Sequence, residues 1–562
     1  MSKVCVIGLD GGTFKIIDYL IGQGRMPNFA RLRSQGSKAS LISTIPPLTP
    51  AAWGSFFTGS NPGKTGAVGF FRFRPGTYRL EPMNAGNLHG TPFWSLASEG
   101  GKRVCVCNVP VTYPAVPVNG ILISGMDAPA FDDRAIYPLE YKNTFLSAIP
   151  DFKVSCEIDA RYLIKHVDDP LGEGIRQMQA HLDMEIRTIN HLMGIEDWDL
   201  FVAVIRSTDV LQHFFWQDVE KLMANDSVEE DVSKKAEAVF ACYETIDREL
   251  GEQWSGWCKN KNMIILSDHG FGSLRADICL NRVLANAGLV KFLPRNNRKR
   301  YREFLVRKLQ THLPARTRHK IKRLVGREEV GKRWHLFVDS LVSDIDWEQT
   351  RLFSIAQFGC FYVNLKGRDP LGTVVGEKER QAVLAAAEEA LSNLKDPNDG
   401  LPLVTAFYRK EDVYEGPLLD AMPDIVVNFR DWSYRGICST SEELSDSSIF
   451  RSQFDAWGPF GYTGTHRLEG ILMMNGPDIA AADLGKAQMV DLAPTIMNLL
   501  GLPPLAGWDG RILEEAFTGG ASVAQPGGKA HASADSEDNR KPVYSEEDEE
   551  EIRKRLENLG YL

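Results

Sequence analysis

Val4-Cys-Val-Ile-Gly-Leu9, followed at once by Asp10-Gly-Gly12, is the stretch that decides the fold. Six residues without a charge read as a strand buried on both faces. The carboxylate and glycines behind them read as the loop at its carboxyl end. The pattern returns along the chain: Val104–Val109, Ile121–Ile123, Phe201–Ile205, Met263–Leu266, Ile425–Val427 and Ile471–Met474 read as further strands. Phe14–Gly22, Asn28–Gln35 (closed by Gly36), Gly174–Met193 and Val232–Leu250 carry helical spacing between them. Strands alternating with helices indicate an α/β protein with a mostly parallel sheet covered on both faces. Ligands of such sheets collect at the carboxyl ends of the strands, and Asp10, Asp209 and Asp268 all fall at or just past such ends.

The chain has 562 residues, more than one hydrophobic core usually fills. Its net charge of −10 disfavours a dedicated nucleic-acid binder, which needs a basic surface. No apolar run reaches the roughly 20 residues of a membrane span, and Met1-Ser-Lys3 does not lead into a secretory apolar core. The 9 cysteines are scattered, several within apolar strand-like runs, as expected of buried thiols in a reducing cytoplasm. Residues 1–290 and 340–517 read as the catalytic domain. Residues 291–339 read as a basic helical insertion or cap, either a solvated amphipathic helix pair or a lid that attracts an anionic substrate or touches a membrane surface. A flexible linker is expected over 518–543 and a terminal helix over 544–562, with Ser545 as its cap and Glu549/Arg553, Glu550/Lys554 and Glu551/Arg555 paired at i,i+4. Leu556, Leu559 and Leu562 would dock that helix. The oligomeric state is not legible.

Thr49-Pro-Ala-Ala-Trp53 begins a helix. Thr49 is either a plain cap or a hydroxyl nucleophile beside helix-start amides that receive a phosphoryl group. Asp209 and His213 are four apart, so on a helix both can reach one ion. Asp268-His269 follows an apolar strand and precedes the pliable Gly270-Phe-Gly272, and His466 lies in a glycine-containing loop before Ile471–Met474. Together these residues offer oxygen and imidazole donors enough for two zinc-like ions and one alkoxide, a set suited to phosphate esters. Gly8-Leu-Asp-Gly-Gly-Thr13 also looks like the first phosphate loop of an actin-like ATPase, but His269 intrudes where that fold wants its second loop.

Taken in order, these segments resemble the type I phosphodiesterase/nucleotide pyrophosphatase branch of the alkaline phosphatase superfamily. The matching stretches are Val6–Gly12, Thr44–Trp53 with Phe57-Thr-Gly59 and Pro62-Gly-Lys64, Ser207-Thr-Asp209 with His213, Ser267–Gly272, Gly464-Thr-His466 and Asp491–Ile496 with Asp509-Gly-Arg511. The resemblance implies an alkaline-phosphatase-like three-layer sandwich and two divalent ions, zinc or alternatively manganese. One ion would be held by Asp10, Thr49, Asp268 and His269, the other by Asp209, His213 and His466. Thr49 would attack phosphorus and form a phosphothreonine intermediate. The family's asparagine three residues after the nucleophile is replaced by Ala52, and no base-stacking slot is identifiable.

The expected activity is hydrolysis of a phosphoric diester or pyrophosphate in an anionic small molecule. The alternatives are a phosphomonoesterase or phosphotransferase on the same site, and a metal-stabilised binding protein. A sulfatase is disfavoured because no Cys/Ser-x-Pro-x-Arg surrounds the nucleophile position.

Overall fold

A computed structural model describes residues 2–156, 158–225, 227–293, 342–355, 358–437, 449–451, 460–518 and 543–559. A nine-stranded sheet runs in the order Asp483–Gln488, Ser37–Ile42, Glu469–Asn475, Asn262–Leu266, Val4–Leu9, Leu200–Ile205, Val104–Val109, Gly120–Ser124, Ile136–Tyr137. Val4–Leu9 lies at its centre, parallel to both neighbours, with Leu9 opposite Ile205 and Gly8 opposite Leu266. Only Glu469–Asn475 and Ile136–Tyr137 run against the rest.

Alternate residues of the central strands feed two cores. Cys5, Ile7, Leu9, Phe201, Ala203 and Ile205 pack on one side with Ile17, Leu182, Phe214 and Phe240. Val4, Val6, Leu200, Val202 and Val204 pack on the other with Trp53, Phe56, Leu492 and Ile496. Helices therefore cover both faces, and the chain forms the expected three-layer α/β arrangement. The helices Phe14–Gly22, Pro27–Gln35, Pro170–Ile195 and Glu230–Glu249 fall where the spacing placed them.

Two strands differ in role from the sequence reading. Ile425–Phe429 leaves the central sheet for a four-stranded antiparallel one, between Cys360–Val363 and Val404–Arg409, with Leu352–Ser354 at its edge. Ile471–Met474 lies inside the antiparallel Glu469–Asn475 strand. An apolar run specifies burial but not direction, so both were ambiguous in sequence. The basic stretch 294–341 and the linker 519–542 lie outside the described residues.

The terminal helix Glu546–Asn558 is capped reciprocally by Ser545 and Asp548 and buries Leu556 and Leu559, while Leu562 lies outside the described residues. Two of its charges turn inward, beyond the surface pairs the spacing suggested. Glu549 accepts from Arg74 and Arg79. Arg555 donates to the carbonyls of Met126, Ala128 and Pro129 at 2.7–3.0 Å.

Gly8 is a close approach that the fold requires. A β-carbon there would lie 2.3 Å from the Trp53 indole and 3.1 Å from Val204. Trp53 is one turn along the helix Thr49–Thr58 from Thr49. Gly8→Ala should therefore push that helix off the sheet. The expected loss is about 1–3 kcal/mol of stability from overpacking, read by urea unfolding. A variant as stable as the parent would contradict the contact.

Candidate metal and nucleophile site

The carboxyl ends of three adjacent parallel strands carry the acidic residues. Sheet geometry spaces neighbouring strands by about 4.8 Å, so Asp10, Asp209 and Asp268 come together without long side chains having to reach. Asp10 N–H donates to Ile205 O (3.0 Å), and Gly11 N–H donates to Asp268 Oδ1 (3.1 Å). Asp209 stands in the first turn of the helix Ser207–Ala224, one turn before His213. The short strand Gly270–Ser273 pairs antiparallel with Gly464–Arg467, setting His466 opposite Phe271 and beside His269.

The seven residues singled out in the sequence converge. Asp209 Oδ1 is 3.4 Å from His213 Nε2 and 3.3 Å from His466 Nε2. His269 Nε2 is 3.6 Å from Asp10 Oδ1 and 3.3 Å from Asp268 Oδ2. Thr49 Oγ1 is 3.3 Å from the same His269 nitrogen. Donor atoms of Asp10, Asp268 and His269 form one close cluster, and those of Asp209, His269 and His466 a second, so His269 stands between the two. All seven side chains are buried.

Thr49 is not the helix cap. Leu48 holds that position, Thr49 begins the helix itself, and the hydroxyl faces His269. The side chain is thus one residue too far along to serve the backbone, and Ala52 N–H makes the first intrahelical bond to Leu48 O (3.0 Å).

Each histidine is oriented by its Nδ1 side. His213 Nδ1 pairs with Gly464 O (3.0 Å), His466 Nδ1 with Pro47 O (2.8 Å) and His269 Nδ1 with Gly270 O (3.1 Å). A carbonyl can only accept, which places the proton on Nδ1 and leaves the Nε2 lone pair turned inward. This is how ligating histidines are held.

Electrostatics point to a cation. Burial and then the neighbouring Asp209 push the Asp10 carboxyl up to about 7, against the pull of Arg206. Burial and then Asp10 push Asp268 well above its ordinary range. Burial would raise Asp209 as well, but His213 and His466 outweigh it and hold that group low. Burial lowers His269 and, against the pull of Asp209, His466. Asp10 Oδ1 and Asp268 Oδ2 are buried without a hydrogen-bond partner among the described residues. Inward lone pairs, partnerless carboxylate oxygens and strained carboxylate ionisation together fit divalent ions with N and O ligands.

Other residues of the site had no role in the sequence reading. Arg206 lies between Asp10 and Asp209. Behind the Asp10 loop, Gln212 donates to Gly11 O (3.0 Å) and accepts from Tyr243 (3.1 Å). Thr208 Oγ1 donates to Asp10 O (2.6 Å). Arg206 had one visible signal: a charge placed directly after a fully apolar strand and three residues before Asp209.

No helix among the described residues is long and apolar enough to cross a membrane. No curated protein matches the sequence. Two solved structures of murine ectonucleotide pyrophosphatase/phosphodiesterase 5, one of an inactive variant in complex with AMP and one of the protein itself, are similar at 13% identity, covering 92% of this chain and 100% of theirs. Their TM-scores of 0.49 and 0.48 are too low to bear on mechanism. A family model described as type I phosphodiesterase / nucleotide pyrophosphatase matches residues 4–443, most of the sequence and nearly all of the site built above. The chain belongs to the type I phosphodiesterase / nucleotide pyrophosphatase family.

Proposed function

We propose that this metal-dependent hydrolase cleaves phosphoric diester or pyrophosphate bonds with Thr49 as nucleophile at a two-metal site. The observation that carries the reading is the placement of Thr49 Oγ1 3.3 Å from His269 Nε2, where the two carboxylate–imidazole clusters meet. Asp10, Thr49, Asp268 and His269 would hold one ion, and Asp209, His213 and His466 the other. Zinc suits this mixture of carboxylate and imidazole, with manganese the alternative. When bound, such a pair supplies Lewis acidity to the attacking and leaving oxygens.

The chain's own groups do the rest. Thr49 gives up its proton and its oxygen bonds to phosphorus. The bond to the leaving oxygen breaks, and that oxygen departs as an alcohol or phosphate after taking up a proton. The substituted phosphothreonine is then attacked by water, which restores the Thr49 hydroxyl and releases a phosphate ester. The helix Thr49–Thr58 directs its positive end and first-turn amides toward the phosphoryl oxygens. Ala52 offers no side-chain donor, so the backbone is left to supply that contact. The eight cysteines among the described residues are buried free thiols, which supports placing the reaction in a reducing, cytoplasmic setting.

Thr49→Ala should lower turnover of a bis-aryl phosphate by about a thousandfold or more without loss of helix by circular dichroism, because the hydroxyl does not cap the backbone. Near-parental turnover would reject Thr49 as nucleophile. Ion binding should also release protons at pH 7. Asp10, pushed up to about 7 in the metal-free site, and Asp268, pushed well above its ordinary range, must both be ionised to ligate. Apparent affinity should therefore fall as pH drops below about 7. Calorimetry in two buffers of different ionisation enthalpy measures this, and identical heats in both would exclude it.

A further inference from the structure

We propose that Arg206 is the positioning residue that sets the separation of the two ion sites, an inference that rests on the two-metal reading. Its guanidinium is 2% exposed. Nε lies 3.3 Å from Asp10 Oδ2, and Nη2 lies 3.7 Å from Asp209 Oδ2. The other oxygen of each carboxylate faces the imidazoles: Asp10 Oδ1 toward His269, and Asp209 Oδ1 toward His213 and His466. One planar cation thus takes the outer oxygen of one carboxylate from each cluster and turns the inner oxygens toward the site.

Two features make Arg206 suited to this. Its fork is rigid, always charged and presents donors along several directions, so it can span two carboxylates where a lysine ammonium acts as a point. Its own position is fixed by a neighbouring buried acid. Arg206 N–H and Ser207 N–H donate to Glu185 Oε1 and Oε2 at 2.9 and 3.2 Å. Ser207 Oγ donates to Glu185 Oε2 (2.6 Å), and Asn108 donates to Oε1 (3.1 Å). Glu185 comes from the helix Pro170–Ile195, packed beside the strand that ends in Ile205. The chain of contacts therefore runs from that helix, through the strand end, to both clusters.

The consequence is joint loss. A residue serving one ligand would weaken one ion, whereas a residue that spaces both should weaken both together. Competition titration with a chromophoric zinc chelator, on full-length metal-free protein, reads each affinity directly. Arg206→Met should lower the affinity for both ions by about 10–100-fold, the usual effect of losing a partner behind the ligands. Arg206→Lys, which keeps the charge but not the fork, should lose a similar amount at both. Folding of each variant is checked by circular dichroism, and the lysine variant carries the test if the methionine variant does not fold. Recovery of parental affinity in Arg206→Lys would show that charge alone suffices and overturn the proposal. So would a loss confined to one ion. If the parent protein binds no zinc, the two-metal reading itself fails, a result distinct from either outcome in the variants.

Discussion

Three carboxylates confined in one buried pocket are the constraint from which the rest of the site follows. Asp10, Asp209 and Asp268 are fully buried at the ends of neighbouring strands. Carboxylates so close cannot all ionise in an apolar surround without compensating positive charge. Arg206 provides one unit, and the raised Asp10 and Asp268 show that it does not suffice. The imidazole beside Asp10 and Asp268 does not fill the deficit, because burial holds His269 well below its ordinary range. A pocket with this balance is built for cations, and the inward Nε2 atoms complete their donor set.

Convergence is achieved by the sheet rather than by long side chains. Asp10 and Asp268 follow strands whose register is continuous, while Asp209 is delivered by the helix that follows the third strand. Thr49 and His466 come from segments beside the next two strands of the sheet, after Ser37–Ile42 and before Glu469–Asn475. Trp53 packs against Gly8 and seats the helix that starts at Thr49. Pro47 O, just before that helix, accepts from His466 Nδ1, so the loop that leads into Thr49 also orients an imidazole of the other cluster. His269 and His466 stack with ring centroids 3.5 Å apart, which brings the two clusters into direct contact.

Much of this was legible in the chain. Apolar runs ending in Asp10 and Asp268 marked strands and their functional ends together, because a parallel strand buried on both faces has no polar residue until it leaves the sheet. The pair Asp209 and His213 was readable from helical spacing alone. The direction of Glu469–Asn475 and the separate sheet holding Ile425–Phe429 were not, since hydrophobicity records burial and is silent on pairing partners. Thr49 looked like a cap because the residue type favours one, and a one-residue shift in where the helix starts frees its hydroxyl. Arg206 escaped because its partners are 196 residues upstream and three downstream, a relation that only the folded strand order creates.

The central claim is that two ions share this pocket, one on each cluster. Anomalous diffraction from zinc-loaded crystals, recorded on either side of the metal absorption edge, tests it directly. The expected map has two peaks about 4 Å apart, one among Asp10, Thr49, Asp268 and His269 and the other among Asp209, His213 and His466. A single peak, or peaks lying away from these side chains, would contradict the account.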